Sequence, residues 1–197
     1  MVITRPKLAV FASGTGTNLA ALIQATQTGE VPAEIVRVVV DRRHTGAQQL
    51  AETAGIPVLR INYKDYATRE LAEDAMLTVL AADGVVGILL AGYMRILTPK
   101  LVNAFHQRII NIHPTLLPSF PGNSAIADAW QAGVKVTGVT IHYVDDGVDS
   151  GEIIAQEAVK LTATDDLAQL TTKIHAVEHT LYPATVAMLI KKGVFVK

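Results

Sequence analysis

The chain has 197 residues, of which 50% are apolar and 18% are charged, and its formal net charge is -1. This composition favours one compact domain over residues 1–197, with ample material for a core and little for a disordered tail. The lack of cysteine excludes disulfide bonds, cysteine-bound zinc and a thiolate nucleophile. Lys and Arg occur in runs of at most two, so the sequence predicts no nucleic-acid partner.

Two apolar stretches bear on where the protein works. The run "LAVFA" near the N-terminus is shorter than the apolar region of a signal peptide. The longest apolar stretch, "VVGILLAGYM", is shorter than the roughly 18 residues that a membrane helix needs. We therefore expect a cytoplasmic protein with no membrane partner.

Strand-like and helix-like segments alternate through the first half of the chain. Short runs rich in β-branched residues predict strands, and the segments between them have helical spacing of apolar residues. In chain order these are strand "KLAVFA", helix 18–28, strand "EIVRVVV", helix 46–54, strand "PVLRI", helix 67–82, strand "GVVGILLAG" and helix 99–105. This alternation predicts an α/β fold with a parallel sheet and helices on both faces.

The second half continues with strand "RIINI" and a helix over 122–132. The strand-like runs "VTGVTIHYV" and "GEIIAQEAV" are joined by "DDGVDS", which is short enough for antiparallel pairing and makes the sheet mixed. A last helix follows the cap candidates at 164–166, and Pro183 is expected to kink it. Its apolar stripe consists of Leu167, Leu170, Ile174, Val177 and Leu181.

The stretch "SGTGTN", residues 13–18, lies between the first predicted strand and the first predicted helix. Gly14 and Gly16 allow a tight turn that leaves backbone N–H groups and the helix N-terminus free to hold a phosphate. Additional side-chain donors come from Thr15, Thr17 and Asn18. The alternative is a glycine-rich connection that binds nothing.

A dinucleotide site is a further alternative for this stretch. Asp41 ends the second strand about where an acid would hold a ribose. The dinucleotide fingerprint, however, needs a third glycine where this chain has Leu19, and the Lys-Ser/Thr pair of a P-loop is missing as well. A single phosphate is therefore the favoured ligand.

Asn111 and His113 are two residues apart, so on a continuing strand both side chains emerge on one face. An amide donor beside an imidazole suits acyl-group chemistry, in which one group stabilises an oxyanion and the other shares or moves a proton. The alternative is that Asn111 caps the strand and His113 is a half-buried histidine with satisfied hydrogen bonds. The expected position at a strand's carboxyl end favours function.

Acidic residues follow in the segment "VDDGVDSGEI", which contains Asp145, Asp146 and Asp149. A carboxylate near His113 would fix the tautomer of the ring and stabilise its charged form. The alternative is an ordinary turn, since Asp and Gly are common in turns.

Glu178 falls within the apolar stripe of the last helix, where an unpaired carboxylate is costly. It either binds a cationic or amide-bearing ligand or pairs with His175 or His179. Those two histidines are four residues apart, but with no third ligand in view they predict a solvated helix face and not a metal site.

Taken together, these motifs resemble the glycinamide ribonucleotide formyltransferase family, which is folate-dependent and acts in purine synthesis. The resemblance extends over essentially the whole chain and rests on "SGTGTN", "AGYMRIL", "NIHPTLLPSFPG", "VTIHYVDDGVDSGEIIAQ" and "EHTLYP", in that order. It implies an open, mostly parallel Rossmann-like sheet. It also implies transfer of a formyl group from 10-formyltetrahydrofolate, as co-substrate and without a metal, to the amine of glycinamide ribonucleotide.

The resemblance assigns residues to three groups. The catalytic group is Asn111, His113 and Asp149. The ribonucleotide contacts are Thr15, Gly16, Thr17, Asn18, Gly92 and Glu178. The folate contacts are Arg69, Met94, Arg95, Ile96, Leu97, Val144, Asp145 and Asp146. Broadly, the N-terminal part is expected to bind the ribonucleotide, and the C-terminal part to bind folate and carry out catalysis.

The chain departs from the family pattern in places. Ser119 and the segment 123–130 lack basic and histidine residues that several relatives carry, which puts any ligand contact there in doubt. Glu152 replaces a proline that is often present, and this change is expected to affect only the start of the following strand.

Three other classes of function compete with this interpretation, and the first is another enzyme that uses formyl-folate chemistry. Methionyl-tRNA formyltransferase and formyltetrahydrofolate hydrolase share the catalytic segment, but each has an added domain for which 197 residues leave no room. A dinucleotide-dependent oxidoreductase would explain Asp41 but would leave Asn111, His113 and Asp149 unused. A silent sensor of a phosphoribosyl ligand is the third. The sequence allows a monomer or a homodimer.

Overall fold

Seven strands form one sheet in the computed structural model, which describes residues 5–196. The strands are β1 (Lys7–Ala12), β2 (Glu34–Val40), β3 (Val58–Arg60), β4 (Gly87–Leu90), β5 (Ile109–His113), β6 (Val136–Tyr143) and β7 (Ile153–Lys160). The helices are α1 (Thr17–Thr28), α2 (Gly46–Thr53), α3 (Arg69–Asp83), α4 (Pro99–Ala104), α5 (Ala125–Gln131) and α6 (Leu167–Lys191). A short 3-10 turn covers Tyr63–Asp65.

The strand order is β3-β2-β1-β4-β5-β6-β7. The strands from β3 to β5 run parallel, and β6 is antiparallel to both of its neighbours. The predicted mixed, mostly parallel and Rossmann-like sheet is confirmed. Because β1 lies between β2 and β4, the loops that leave β1 and β4 diverge and open a crevice at the carboxyl ends of the strands, where α/β proteins bind ligands.

The core lies on both faces of the sheet, and strand β1 shows why. Leu8 and Val10 pack in one cluster with apolar residues of α1 and α6, whereas Ala9 and Phe11 pack in another with residues of α3 and α4. Alternate side chains thus point to opposite, equally covered faces. A strand buried on both faces is expected to be a continuous apolar run, as "LAVFA" is.

Most predicted helices are present with small shifts at their ends, but α5 is shorter than expected. It begins at Ala125 and not at 122, because Gly122 has a left-handed φ of 93° that does not fit a helix. Helix α6 starts with a capping box between Asp166 and Gln169 and continues through Pro183 to Lys191. The kink at Pro183 stays a prediction.

Helix α6 is tied to the sheet directly beneath the crevice. The fully buried Tyr182 places its hydroxyl 3.0 Å from the carbonyl oxygen of Leu90, the last residue of β4, and 2.9 Å from that of Ile110, the second residue of β5. Glu178 lies one helical turn before Tyr182, so this attachment fixes where its carboxylate stands. None of the helices in residues 5–196 is both long and apolar enough to cross a membrane.

Candidate active site

Two adjoining cavities open at the carboxyl ends of the strands, with volumes of about 470 Å³ and 280 Å³. The larger cavity lies beside α3 and the β6–β7 loop, and the smaller cavity lies between the start of α1 and α6. The residues that line both are Tyr93, Met94, Asn111, Gly122, Asn123 and Asp149. Two of the three predicted catalytic residues therefore stand where the cavities meet.

The three predicted catalytic side chains come together at this junction. Asp149 Oδ1 lies 3.4 Å from Asn111 Nδ2, and Asp149 Oδ2 lies 3.4 Å from His113 Nδ1. Asn111 and His113 share a face of β5 as their spacing predicted, while Asp149 reaches them from the β6–β7 loop. The structure also brings in His142, whose Nε2 lies 3.1 Å from Asn111 Nδ2 and 3.7 Å from Asp149 Oδ1.

His142 was missed because its position depends on strand register. In the antiparallel pairing of β5 with β6, Asn111 lies directly opposite His142. The sequence predicted that β6 and β7 pair, but it did not specify the partner or the register of β6 on its other side. The alternation within "VTIHYV" is the one signal that a register argument could have used.

Asp149 is held as a charged carboxylate. Hydrogen bonding to His142 is the largest influence and lowers the pKa of Asp149, while burial opposes it; the Gly122 N–H and the charge of His113 lower the pKa further. The Gly122 N–H donates to Asp149 Oδ2 at 2.8 Å. Asp149 itself has a left-handed φ of 52°, an uncommon conformation for a residue with a side chain.

The two histidines face different partners. His113 Nε2 lies 2.9 Å from the carbonyl oxygen of Phe120 and its Nδ1 faces Asp149, so both ring nitrogens face acceptors. His142 Nδ1 lies 2.8 Å from the carbonyl oxygen of Tyr143 and so carries a hydrogen. Its Nε2 faces an amide that can donate and a carboxylate that can accept. That nitrogen can therefore hold or release a proton.

The smaller cavity is lined by the predicted phosphate loop. Gly16 precedes α1 with a left-handed φ of 82°, and it has no side chain to cap the first N–H groups of the helix. A Cβ on Gly16 would lie 2.7 Å from Ala47 Cα, so both the conformation and the packing require glycine. The loop residues on the cavity wall are Gly14, Thr15, Gly16, Thr17 and Asn18, and Gly92 lies on the same wall.

Asn18 and Glu178 contact each other across this cavity. Asn18 Nδ2 donates to Glu178 Oε2 at 3.0 Å, so Glu178 does not depend on His175 or His179 for its hydrogen bond. Burial raises the pKa of Glu178, and the hydrogen bond from Asn18 and the charge of His179 oppose that rise. This hydrogen bond uses one of the two N–H groups of the Asn18 amide.

His175 also lines the smaller cavity, whereas the sequence analysis had placed it on a solvated helix face. Its ring stacks on that of His179, with the ring centres 6.3 Å apart. Which part of α6 faces the phosphate loop is set by the packing of α6 against α1, and the helical repeat alone does not reveal it. Within residues 5–196, no three His, Asp or Glu side chains lie close enough together to hold a metal ion.

The larger cavity is lined by the predicted folate contacts other than Asp146. These are Arg69, Met94, Arg95, Ile96, Leu97, Val144 and Asp145, and the structure adds Tyr63, His142, Gly147 and Val148. Met94 and Ile96 are about half exposed at 49% and 55%, which leaves apolar surface open to a ligand. The two arginines add positive charge to the same wall.

The loop that carries Met94 to Leu97 is anchored by helix α3 at two points. The Arg69 guanidinium donates to the carbonyl oxygen of Ile96. One turn later, the fully buried carboxylate of Glu73 accepts from the backbone N–H of Thr98 at 2.8 Å and from the Thr98 hydroxyl. Sequence reasoning gave Glu73 no role, since its partner comes from another element.

Of the residues that depart from the family pattern, some line the cavities, whereas Ser119 and Glu152 take part through their backbone carbonyl groups. Asn123 lines both cavities and Ile126 lines the smaller one, so part of the segment 123–130 does reach the site. Ser119 contributes its carbonyl oxygen, which accepts from the Thr115 hydroxyl at 2.8 Å. The exposed Glu152 supplies a carbonyl oxygen to the Tyr143 N–H, consistent with a role limited to the start of β7.

The chain is similar in sequence to proteins of a known family. A family model described as formyl transferase matches residues 6–186. The chain is 40% identical over 184 residues to the phosphoribosylglycinamide formyltransferase of Bacillus subtilis, covering 93% of this chain and 94% of that protein. It is 43% identical over 188 residues to the trifunctional purine biosynthetic protein adenosine-3 of Drosophila melanogaster, where the match covers 94% of this chain but only 14% of that protein.

A solved structure of a protein with the same name as the Bacillus subtilis relative has the same fold as this chain. The crystal structure of phosphoribosylglycinamide formyltransferase from Bacillus halodurans superposes with a TM-score of 0.94 at 46% sequence identity. The superposition covers 97% of this chain and all of that chain.

Proposed function

The chain belongs to the formyl transferase family, and from this premise we propose that it transfers a formyl group from 10-formyltetrahydrofolate to the amine of glycinamide ribonucleotide. The products are formylglycinamide ribonucleotide and tetrahydrofolate, in a step of purine synthesis. The observation that carries the proposal is the meeting of Asn111, His113 and Asp149 between a cavity suited to a phosphate and a cavity suited to a larger, partly apolar ligand.

The ribonucleotide is assigned to the smaller cavity. Its phosphate would accept from backbone N–H groups at the start of α1, where the helix dipole also favours negative charge. Glu178 would contact the glycinamide end. The proposed contacts are Thr15, Gly16, Thr17, Asn18, Gly92 and Glu178, to which we add His175 on the wall of the same cavity.

The folate is assigned to the larger cavity, so that its formyl group reaches the junction. Apolar side chains of the 92–97 loop would cover the ring system, and Arg69 and Arg95 would attract the carboxylates of the folate tail. The remaining proposed contacts are Met94, Ile96, Leu97, Val144, Asp145 and Asp146. Asp146 stands beside the cavity wall as part of the β6–β7 loop.

In the proposed reaction the neutral amine attacks the formyl carbon and a tetrahedral oxyanion forms. The oxyanion would take the place of Asp149 as acceptor for the Asn111 amide, since that 3.4 Å contact is the longer of the two that the amide makes. His113, whose ring faces Asp149, would stabilise the same oxygen. One such donor contributes about 3 kcal/mol to lowering the barrier.

A proton must leave the amine and reach the departing folate nitrogen. His142 Nε2 is suitably placed, because it lies beside Asn111 and Asp149 on the wall of the larger cavity. A water molecule held between these groups is the other route. Comparing the pH dependence of kcat in the unsubstituted protein and in His142→Gln distinguishes the two routes, since only the first ties the profile to His142.

An assay of formyl transfer by the purified protein tests the proposed function. Purified protein is mixed with glycinamide ribonucleotide and 10-formyltetrahydrofolate, and formylglycinamide ribonucleotide is followed by mass spectrometry. We expect the product to form at an undiminished rate in the presence of a chelator, since we propose no metal. Failure to form it, with both substrates intact, would reject the function.

We also propose that the protein works in the cytoplasm, and size-exclusion chromatography decides between monomer and homodimer.

A further inference from the structure

The 92–97 loop is shared by both cavities. Gly92, Tyr93 and Met94 line the smaller cavity, and Tyr93 through Leu97 line the larger one. A change in the position of this loop therefore alters the shape of both cavities at once. The residues that hold this loop in place therefore influence the binding of both substrates.

Ser13 fixes the first part of the loop. The Ser13 N–H donates to the carbonyl oxygen of Gly92 at 3.1 Å, and the Ser13 hydroxyl accepts from the Met94 N–H at 2.9 Å. Ser13 is buried, so water does not compete for these hydrogen bonds. The same residue opens the phosphate loop, which joins the 92–97 loop to the start of α1.

Asp41 fixes the next residue of the loop. Arg95 Nε donates to Asp41 Oδ2 at 2.8 Å, and the Asp41 side chain is 0% exposed although that of Arg95 is 47% exposed. Arg42 Nε makes a longer contact of 3.4 Å with the other carboxylate oxygen. The Arg95 guanidinium also lies over the ring of Tyr63, with 5.8 Å between its central carbon and the ring centre. The arginine is thus held between a buried anion and an aromatic face.

The buried carboxylate is charged. Burial by itself raises the pKa of Asp41, but hydrogen bonds to Arg95 and Ser13 and the nearby charges of Arg42 and Arg95 together hold the pKa below its usual value. With its carboxylate engaged in this way, Asp41 is not free to hold a ribose. The dinucleotide interpretation of the sequence loses its main support.

We propose that Asp41, which lies outside both cavities, is a positioning residue for both substrates because it fixes the 92–97 loop through Arg95. The inference rests on the proposed function for the identity of the substrates. A neutral residue at position 41 would leave the Arg95 guanidinium without its buried partner. The loop would then lose one of the attachments that hold it behind the cavity wall.

The test is steady-state kinetics of Asp41→Asn with each substrate varied in turn. We expect KM to rise roughly five- to tenfold for both glycinamide ribonucleotide and 10-formyltetrahydrofolate, and kcat to change by less than about twofold, because the catalytic groups lie on other elements. Unchanged KM values with only a lower melting temperature would reduce Asp41 to a structural ion pair. A rise confined to the folate KM would also overturn the proposal.

Two further variants complete the design. Arg42→Ala removes the exposed second partner of the same carboxylate and is expected to leave both KM values unchanged. Ser13→Ala removes the hydroxyl that accepts from the Met94 N–H and is expected to raise both KM values, which keeps the proposal testable if Asp41→Asn does not fold. If the unsubstituted protein transfers no formyl group, the proposed function fails. In that case titrations of the two ligands into both proteins still test the role of Asp41.

Discussion

The two cavities are built in different ways. The smaller one includes a backbone wall, the glycine turn that opens α1, whereas the larger one lies against the 92–97 loop and the β6–β7 loop. The backbone wall is held by packing, as the contact of Gly16 with Ala47 shows, whereas the 92–97 loop is held by polar contacts with buried acidic side chains. Asp41 binds Arg95 within the loop, and Glu73 binds Thr98 directly after it. The wall between the cavities is where the catalytic residues lie. Substitutions should therefore affect different substrates according to the wall they change.

The largest effect is expected at the wall between the two cavities, where the catalytic residues lie. His113→Ala removes an imidazole whose two nitrogens face Asp149 and the carbonyl oxygen of Phe120. We expect kcat to fall about 100- to 1000-fold, while the affinity for each substrate changes little. Steady-state kinetics combined with calorimetric titrations measure both quantities. A loss of affinity for one substrate alone would assign His113 to a single cavity.

The next largest effect is expected at the backbone wall. Gly16→Ala forces an unfavourable φ and a clash with Ala47, which displaces the N–H groups at the start of α1. We expect ribonucleotide affinity to fall at least about tenfold with folate affinity nearly unchanged. Thr17→Ala, which keeps the backbone, should have a smaller effect in the same titration. An equal or larger effect of Thr17→Ala would mean that side chains, and not the backbone, form this site.

A side-chain substitution in the larger cavity should weaken the binding of folate more than that of the ribonucleotide. Arg69→Ala removes the hydrogen bond to the Ile96 carbonyl oxygen and one positive charge. We expect the folate KM to rise roughly fivefold and the ribonucleotide KM to stay within about twofold, because Ile96 lies on the part of the loop that lines the larger cavity alone. A matched Arg60→Ala, on the edge strand β3, controls for the loss of charge alone. Equal changes in the two KM values would contradict the separation of the cavities.

The smallest effect concerns the pH dependence of stability, where two carboxylates should behave oppositely. The pKa of Asp149 is lowered by its hydrogen bonds, so its stabilisation is present above the usual value of about 4 and is lost as the pH falls below it. Burial raises the pKa of Glu178, so its contribution is favourable at low pH and is lost as the pH rises through the raised value.

Urea unfolding between about pH 3 and pH 8 tests this contrast in the unsubstituted protein, Asp149→Asn and Glu178→Gln. The deficit in unfolding free energy of Asp149→Asn should shrink toward the acid end. Glu178→Gln should gain stability relative to the unsubstituted protein as the pH rises from about 4. The same pH trend for both variants would show that one of the two carboxylates has been assigned the wrong environment.

The sequence predicted those parts of the site that lie close together along the chain. The spacing of Asn111 and His113 on one strand and the turn before α1 are local features, and both are present as expected. The strand and helix alternation likewise predicted the sheet, because strands buried on both faces leave a clear apolar pattern. Local pattern failed at α5, whose start is displaced by the left-handed Gly122.

The remaining parts of the site depend on contacts between distant segments. His142 reaches the site through strand register, Asn18 and Glu178 are 160 residues apart, and Arg95 meets Asp41 from another loop. Asp41 shows the difficulty best, since its position at the end of β2 suggested a ribose contact. Its actual partner was visible only once β2 and the 92–97 loop were placed side by side.

The measurement that tests the central claim most directly is a single-turnover experiment on Asn111→Ala with both substrates bound. We expect the rate of formyl transfer to fall at least about 100-fold while the dissociation constants for the two substrates remain within about threefold of the unsubstituted values. An unchanged single-turnover rate would contradict the account, because the amide at the junction of the cavities would then play no part in the chemical step.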